Sequence, residues 1–552
     1  MRLSLPLIGL IACNHEQELA PKQGEAGTLE LVSPAAAAWM DVGRTTARGN
    51  VTNIEDVVVA GDEARVHGGE FEARIELARG VNVVEAAGTD ARGHTLYARH
   101  GVLAGDFATP EGEVEDALAL RVNRGGLDRI AELAEDMVGE LDIGGSLAAI
   151  NPVYVDSYGV WGWDAVTIAA DVTSVAFDAP RIEITPDDGT LTLTATLPDL
   201  YVSIVAYGEV VGIDFDTDVA IGASEAVITG VLEVGADDGR LDVSLEEAEV
   251  ELRDFWYDTT LLPDEVESVL LVDTVRDTLE EKLVEQIETS VPPLLDATLA
   301  GLDPSFSFDV MGLAVDLGFV FAEVDVDEDG LALALDLDLS IPPVPGKEYA
   351  GYLHAGDDTA EVDTAADVAG AVSDNLLNRL LFEAWRAGFL DLTLSTTDGS
   401  LDPALIGALK AEEATISVNA VLPPVAVEEE GSLHAQMAEV LITIDTPGGE
   451  LGEHLVVALA ADIDLDLTVD DGVLALEMGE PEIVMMVRES DWGGDEETIT
   501  NLLEEMVPLD SLLVLLGAIE MPLPSLYGLA VDTGTAVRED TGVHTGLEIW
   551  LD

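Results

Sequence analysis

Over residues 28–105 apolar and polar positions alternate. Val51, Val57-Val58-Val59, Ala64 with Val66, Phe71-Ala73-Ile75-Leu77, Val81-Val83-Val84 and Thr95 with Tyr97 are separated by Gly and Asp at short intervals. Period two with such punctuation predicts a small antiparallel sandwich. The period changes after Gly126. Leu127, Ile130, Ala131, Ala134, Met137, Val138 and Leu141 fall on one face of a helix. Strand patterns resume through residue 255, among them Val166-Ile168-Ala170, Leu191-Leu193-Ala195 and Leu241-Val243-Leu245. A long helix then starts at Pro263, with Asp264 and Glu265 at the positive end of its dipole. Its stripe runs Val266, Val269, Leu270, Val275, Leu279, Leu283, Ile287 and Val291, and Pro292-Pro293 is expected to stop it.

The same order then recurs. A helix is expected over about 370–387, with Leu376, Leu377, Leu380, Leu381 and Ala384 on one face and Gly388 as its stop. Strands follow to 487, and a closing helix from near Glu496 passes through Leu502, Leu503, Met506 and Leu512. The turns correspond too. Asp187-Asp188-Gly189-Thr190-Leu191 matches Glu429-Glu430-Gly431-Ser432-Leu433, and Asp237-Asp238-Gly239-Arg240-Leu241 matches Asp470-Asp471-Gly472-Val473-Leu474. The spacing from Gly239 to Pro263 equals that from Gly472 to Glu496. This series points to a duplicated unit. Between the halves, Val315 to Val326 and Leu331 to Leu339 alternate around an acidic turn, and Pro342-Pro343-Val344-Pro345 reads as an extended connector.

Composition narrows the function. The 552 residues include 110 Asp+Glu against 23 Lys+Arg, a formal net charge of −87, yet 48% of the chain is hydrophobic. Such a chain builds large cores, and its field repels nucleic acid and bare anionic membranes. The acidity suits a salty exterior, where screening makes it tolerable, with calcium loading as the alternative. The single cysteine, Cys13, ends Leu10-Ile11-Ala12-Cys13 after Arg2 and a short apolar run. That is the layout of a signal peptide. It resembles the lipobox of bacterial lipoproteins, in which Cys13 becomes the acylated first residue. Asn14 after it favours outer-membrane delivery by the same resemblance. An ordinary secretory signal with an incidental Cys is the other reading.

The stretch Arg121-Val122-Asn123-Arg124-Gly125-Gly126-Leu127-Asp128 and the stretch from Val372-Ser373-Asp374-Asn375-Leu376-Leu377-Asn378 to Leu394 resemble the openings of the two halves of the bactericidal/permeability-increasing protein family. So does the C-terminal end, Met521-Pro522-Leu523-Pro524-Ser525 followed by a strand to Trp550. The family is also typified by lipopolysaccharide-binding protein. The resemblance covers roughly 115–552. It implies an α+β fold: two tandem lobes, each a highly twisted antiparallel sheet wrapped around a long helix, forming a boomerang with an apolar pocket for acyl chains in each lobe. The stretch Gly69 to Val84 resembles bacterial immunoglobulin-like modules, commonly spacers or binding platforms, and spacer is the expected role here. The mammalian members' disulfide is absent, and the basic tip that some use on endotoxin has no counterpart.

The expected layout is a signal peptide over 1–12, a tether over 13–27, the immunoglobulin-like sandwich over 28–105, an N-terminal lobe over 112–302, a central sheet and connector over 303–366 and a C-terminal lobe over 367–552. The expected function is non-catalytic binding or transfer of phospholipid or another acyl lipid in the bacterial cell envelope. The protein would be exported and held at the outer membrane through Cys13. A surface adhesion or structural lipoprotein with filled lobes is the alternative. Pocket candidates are Leu127, Ile130, Ala134, Met137, Val138, Leu141, Val275, Leu279, Leu376, Leu380 and Leu381, though sequence does not separate pocket lining from core. Each buried CH₂ contributes about 0.8 kcal/mol, so a long acyl chain is worth on the order of 10 kcal/mol before entropy costs.

No catalytic constellation stands out, and neither an enzymatic activity nor a cofactor is expected. The eight His residues are scattered, and no nucleophile elbow, phosphate loop or dinucleotide fingerprint occurs. Asp325, Asp327 and Asp329 match the start of a calcium loop, but strands rather than helices flank them, so a hairpin turn is the preferred reading. Trp161, Trp163 and Phe255-Trp256-Tyr257 are aromatic clusters that fit core or rim packing, or contact with lipid or glycan.

Overall fold

The computed structural model describes residues 26–140, 143–149, 151–160, 163–210, 212–237, 239–259, 272–299, 306–310, 313–339, 341–357, 362, 366–401, 406–407, 409–429, 431–470, 473–493, 499–500, 503, 520–522, 531–538 and 543–551. Strand dominates, helices are few, and the sheets are curled and antiparallel, as the α+β expectation requires in its coarse form.

The chain starts as two sheets around one small core. One orders β1 (Thr28–Ser33), β3 (Gly43–Thr52), β7 (Glu70–Leu77) and β6 (Arg65–His67) as β1-β3-β7-β6. The other runs β2-β9-β8-β4-β5, from β2 (Ala38–Met40), β4 (Ile54–Val59), β5 (Asp62–Glu63), β8 (Gly80–Asp90) and β9 (Thr95–Ala104). Strand β7 shows the cause. Phe71, Ala73, Ile75 and Leu77 are buried while Glu70, Glu72, Arg74 and Glu76 are exposed, so one face enters the core with Val57, Val84 and Val102.

Strands β10 (Phe107–Ala108) and β11 (Val114–Asn123) lead into α1 (Arg124–Glu140) and α2 (Ile143–Ala149). The first half follows as β12 (Tyr154–Val160), β13 (Trp163–Ala176), β14 (Arg181–Asp187), β15 (Thr190–Val210), β16 (Ile213–Asp237), β17 (Arg240–Arg253) and β18 (Trp256–Thr259). Their sheet orders β12-β13-β15-β16-β17, with β14 added to β15 and β18 to β16. Strands β15 and β16 are 21 and 25 residues long, far beyond the usual five or so. Within β15, Asp199 takes a φ of +48°, and the β15–β16 register runs past it without a shift. Helix α1 packs on β14, and α3 (Val272–Leu299) packs on β17. The expected stop at Pro292-Pro293 does not hold, because α3 continues through both prolines to Leu299. Proline deletes a helical N–H bond and bends a helix without always ending it.

A hairpin, β19 (Phe306–Val310), β20 (Leu313–Asp327) and β21 (Gly330–Leu339), continues to β22 (Tyr352–Leu353), which pairs with β10. The second half is β23 (Val368–Ser373), α4 (Asp374–Arg386), β24 (Leu392–Ser395), β25 (Thr415–Ala420), β26 (Val425–Glu429), β27 (Ser432–Asp445), β28 (His454–Asp470), β29 (Val473–Met478), β30 (Glu482–Ser490), β31 (Glu520–Pro522), β32 (Val531–Arg538) and β33 (His544–Leu551). Here β24, β25, β27, β28 and β29 are successive neighbours, β26 adds to β27 and β30 adds to β28. This repeats the first half strand for strand, and each half carries a positive-φ residue in the matching strand, Asp199 in β15 and Glu439 in β27, the register shifting at the second.

The two sequence openings are not wholly helical. Arg121–Asn123 end β11, and 370–373 belong to β23, so each helix is launched from a strand. Those strands pair antiparallel with one another, Leu118 opposite Val372 and Val122 opposite Val368. Continuous buried runs such as Val368–Ser373 carry no period that separates strand from helix. One hydrophobic core extends through β11, both halves and the β20–β21 hairpin.

The N-terminal sandwich packs directly against the second half. Val81 and Leu103 share a buried apolar cluster with Leu353, Leu422, Val427, Ala438, Ala458 and Met486. Gly101 N–H donates to Glu439 Oε1 at 2.6 Å, and Val81 N–H to Gln436 Oε1 at 2.9 Å. Arg488 pairs with Glu439 and also donates to the carbonyl of Arg99.

Candidate functional site: an apolar cavity beneath a fully buried helix

Ser373 caps α4, its hydroxyl accepting the Asn375 N–H at 3.1 Å, and Asp374 sits in the first turn. The helix ends at Ala387, where N–H groups of Ala387, Gly388 and Phe389 bond back to Glu383, Trp385 and Ala384. Between these caps nearly every side chain is buried, including Asn375, Asn378, Arg379 and Glu383.

The polar residues each hold a neighbouring segment. Asn378 accepts the Ala426 N–H at 2.7 Å and donates to the Ala426 carbonyl at 3.0 Å, which clamps β26 to the helix. Asn375 does the same for the loop at 355–356. Arg379 donates to the Leu339 carbonyl at 2.9 Å and lies 3.3 Å from Glu383 Oε1, which Arg386 also approaches at 3.3 Å. Burial pushes the Glu383 carboxyl above the usual carboxylate range, and the two guanidinium groups offset only part of that rise. Lys347 pairs with Asp391 at 2.9 Å and stands over the Trp385 ring, and Trp385 Nε1 donates to the Ala420 carbonyl.

The apolar side of α4 turns Leu377, Leu380 and Leu381 onto the sheet. With Ala426, Ala435, Leu465 and Leu476 they enclose an apolar cavity of about 20 Å³. That is room for about one water, but the lining offers no hydrogen-bond partners, and apolar cavities stay dry.

Two of the eleven pocket candidates, Leu380 and Leu381, thus line a void. Leu376 is buried on the same helix, and Leu127, Ile130, Ala134, Val138 and Leu279 are buried in the continuous core. The side chains of Met137, Leu141 and Val275 lie outside the described residues, as does Cys13. The polar side of α4 is absent from the sequence reading, because Asn375, Asn378, Arg379 and Glu383 resemble the wet side of an amphipathic helix. Their only signal is the nearness of Phe382 and Trp385, which leaves no polar arc.

The acidic turn at 325–330 joins β20 to β21. Asp327 Oδ1 accepts from Asp329 N–H at 2.8 Å and Gly330 N–H at 3.1 Å, and it pairs with Arg121. The Arg121 bond, helped by those amides, holds the Asp327 carboxyl below the usual carboxylate range. Arg121 also bonds Asn123, which donates to the Ala366 carbonyl. The first opening motif therefore locks this turn. Among the described residues no cluster of three or more His, Cys, Asp or Glu is placed to hold a metal, and no helix is long and apolar enough to cross a membrane.

No protein-family model matches the chain, and no curated protein matches it. Among solved structures it is similar to the crystal structure of lipopolysaccharide binding protein, at 15% identity and a TM-score of 0.45, over 80% of this chain and 99% of that one. It is also similar to P47 of Clostridium botulinum E1, at 11% identity and a TM-score of 0.30, over 80% of this chain and all of that one.

Proposed function

We propose that this chain is a non-catalytic binder of acyl lipid in a bacterial cell envelope. In this reading the two repeated halves are two lobes of a bactericidal/permeability-increasing-like body, preceded by an immunoglobulin-like module. The protein is exported and tethered at the outer membrane through an acylated Cys13. The observation that carries the reading is the dry cavity against the apolar side of α4. At about 20 Å³ it admits an acyl chain only if Leu377, Leu380 and Leu381 give way to it, the chain's methylenes replacing their contacts at about 0.8 kcal/mol each.

The tight burial of Leu127, Ile130, Ala134 and Val138, each 1–2% exposed, favours a second reading: a structural or adhesive protein with filled lobes. Native mass spectrometry with lipid extraction on the full chain from its host separates the two. Lipid binding predicts one or two acyl lipids per chain, and Ala435→Val, which fills the cavity, lowers that occupancy while preserving the fold. A bare polypeptide mass that stays bare after incubation with phosphatidylethanolamine vesicles removes the lipid reading.

A further inference from the structure

The outer face of the first-half sheet carries an exposed aromatic row. Tyr201 of β15, Gly222 of β16 and Trp256 of β18 stand directly opposite one another on three adjacent strands. The rings of Tyr201 and Trp256 lie 6.1 Å apart at 46°. The indole rests on the glycine, since a Cβ at Gly222 would come within 2.5 Å of indole carbons and 2.7 Å of Nε1. Both rings remain open to solvent, Trp256 at 44% and Tyr201 at 41%. Tyr207 follows on the same face, and its hydroxyl donates to Asp171 at 3.4 Å. Asp216 lies opposite Tyr207 and Asp218 opposite Val205, and both carboxylates are exposed.

The positive-φ residue Asp199 sets this arrangement. Before it Leu191, Leu193, Ala195 and Leu197 face the core, and after it Leu200, Val202, Ile204 and Ala206 do. The shift of parity turns Tyr201 and Tyr207 outward. Covering a strand glycine with an aromatic ring accounts for Trp256 alone. It gives no reason for a second ring beside it or a third further along.

We propose that this row is a docking platform for a neutral polysaccharide. Sugar rings lay their C–H faces on aromatic faces, whose quadrupole is negative, and their hydroxyls donate to carboxylates that can only accept. A net charge of −87 repels polyanionic chains. The rings form an open row rather than the enclosing cage that recognises a quaternary ammonium, and a polycation has no need of an aromatic row on so acidic a surface.

Affinity electrophoresis of the full chain in native gels containing laminarin, xylan, galactomannan or dextran tests this, with oligolysine as the charged comparison. At least one of the four polysaccharides is expected to retard the chain. Tyr201→Ala and Trp256→Ala are each expected to weaken that retardation about fivefold or more. Melting curves show whether Trp256→Ala has disturbed the sheet, and Tyr201→Ala, which uncovers no glycine, keeps the test decisive if it has. The proposal fails if none of the four retards the wild type, or if both variants run as the wild type does. It also fails if the two variants lose oligolysine binding alone, which assigns the face to a basic peptide.

Discussion

Glu383 is one of the few acids among the described residues with no water to rely on. Its side chain is buried between Arg379 and Arg386, and the trio is stable only as a set. Removing one partner leaves a buried charge uncompensated, which costs about 3–5 kcal/mol. Arg379→Met is therefore expected to lose about that much in denaturant unfolding, whereas Arg253→Met, from an exposed pair, loses far less. His454 shows the opposite regime. It is partly exposed, and a bond to Asp445 at 2.7 Å, with Glu489 and Asp491 nearby, raises its pKa. A raised histidine value means stability that is full below the unfolded value of 6.5 and is lost as pH rises through the folded one. His454→Gln should flatten the fall in melting temperature as pH rises above 6.5, and an unchanged slope would show that the pairing adds nothing. Neither partnership was legible in the sequence. Among 110 acids, proximity along the chain says nothing about which carboxylate meets which cation.

At the scale of elements the sequence was most legible where period and turn chemistry agree. The alternation of β7, the stripe of α1 and the Asp-Asp-Gly and Glu-Glu-Gly turns all mark elements that the structure contains, and Gly189 and Gly431 close their hairpins at φ +82° and +87°. Legibility failed where a segment is buried on every side. The stretch 370–373 reads as part of a helix because strand and helix both satisfy a run of apolar residues, and only its pairing with β11 and β33 decides. The same limit hid the polar clamps of α4. Ser373 is both the last strand residue and the helix cap, and its side chain serves the cap. Ser373→Ala should cost about 1 kcal/mol from the cap alone, measurable by equilibrium unfolding.

For the whole molecule, composition made large cores legible, and the repeated turns made duplication legible. The seam between the N-terminal sandwich and the second half left no mark, since Gly80, Gly101, Gln436 and Glu439 read as ordinary turn and strand residues. A Cβ at Gly101 would stand 2.7 Å from that of Ala438, so this backbone must approach without a side chain. Gly101→Val is expected to part the two bodies. Calorimetry should resolve two transitions in place of one, and limited proteolysis should release the sandwich. A single transition in the variant would mean that the seam carries no cooperativity.

The pairing of β11 with β23 has a further consequence. Asn123 and Ser373 each end a strand and precede a helix, so Leu118 is the counterpart of Val368 and Val122 that of Val372. Leu118 faces Val372 while Val122 faces Val368, which is the reciprocal pattern of an isologous contact about a twofold axis. The junction between the halves therefore has the geometry of a homodimer interface whose two subunits have been joined into one chain. One such half alone would leave that strand edge bare, and covering it with a second copy of itself is the symmetric solution.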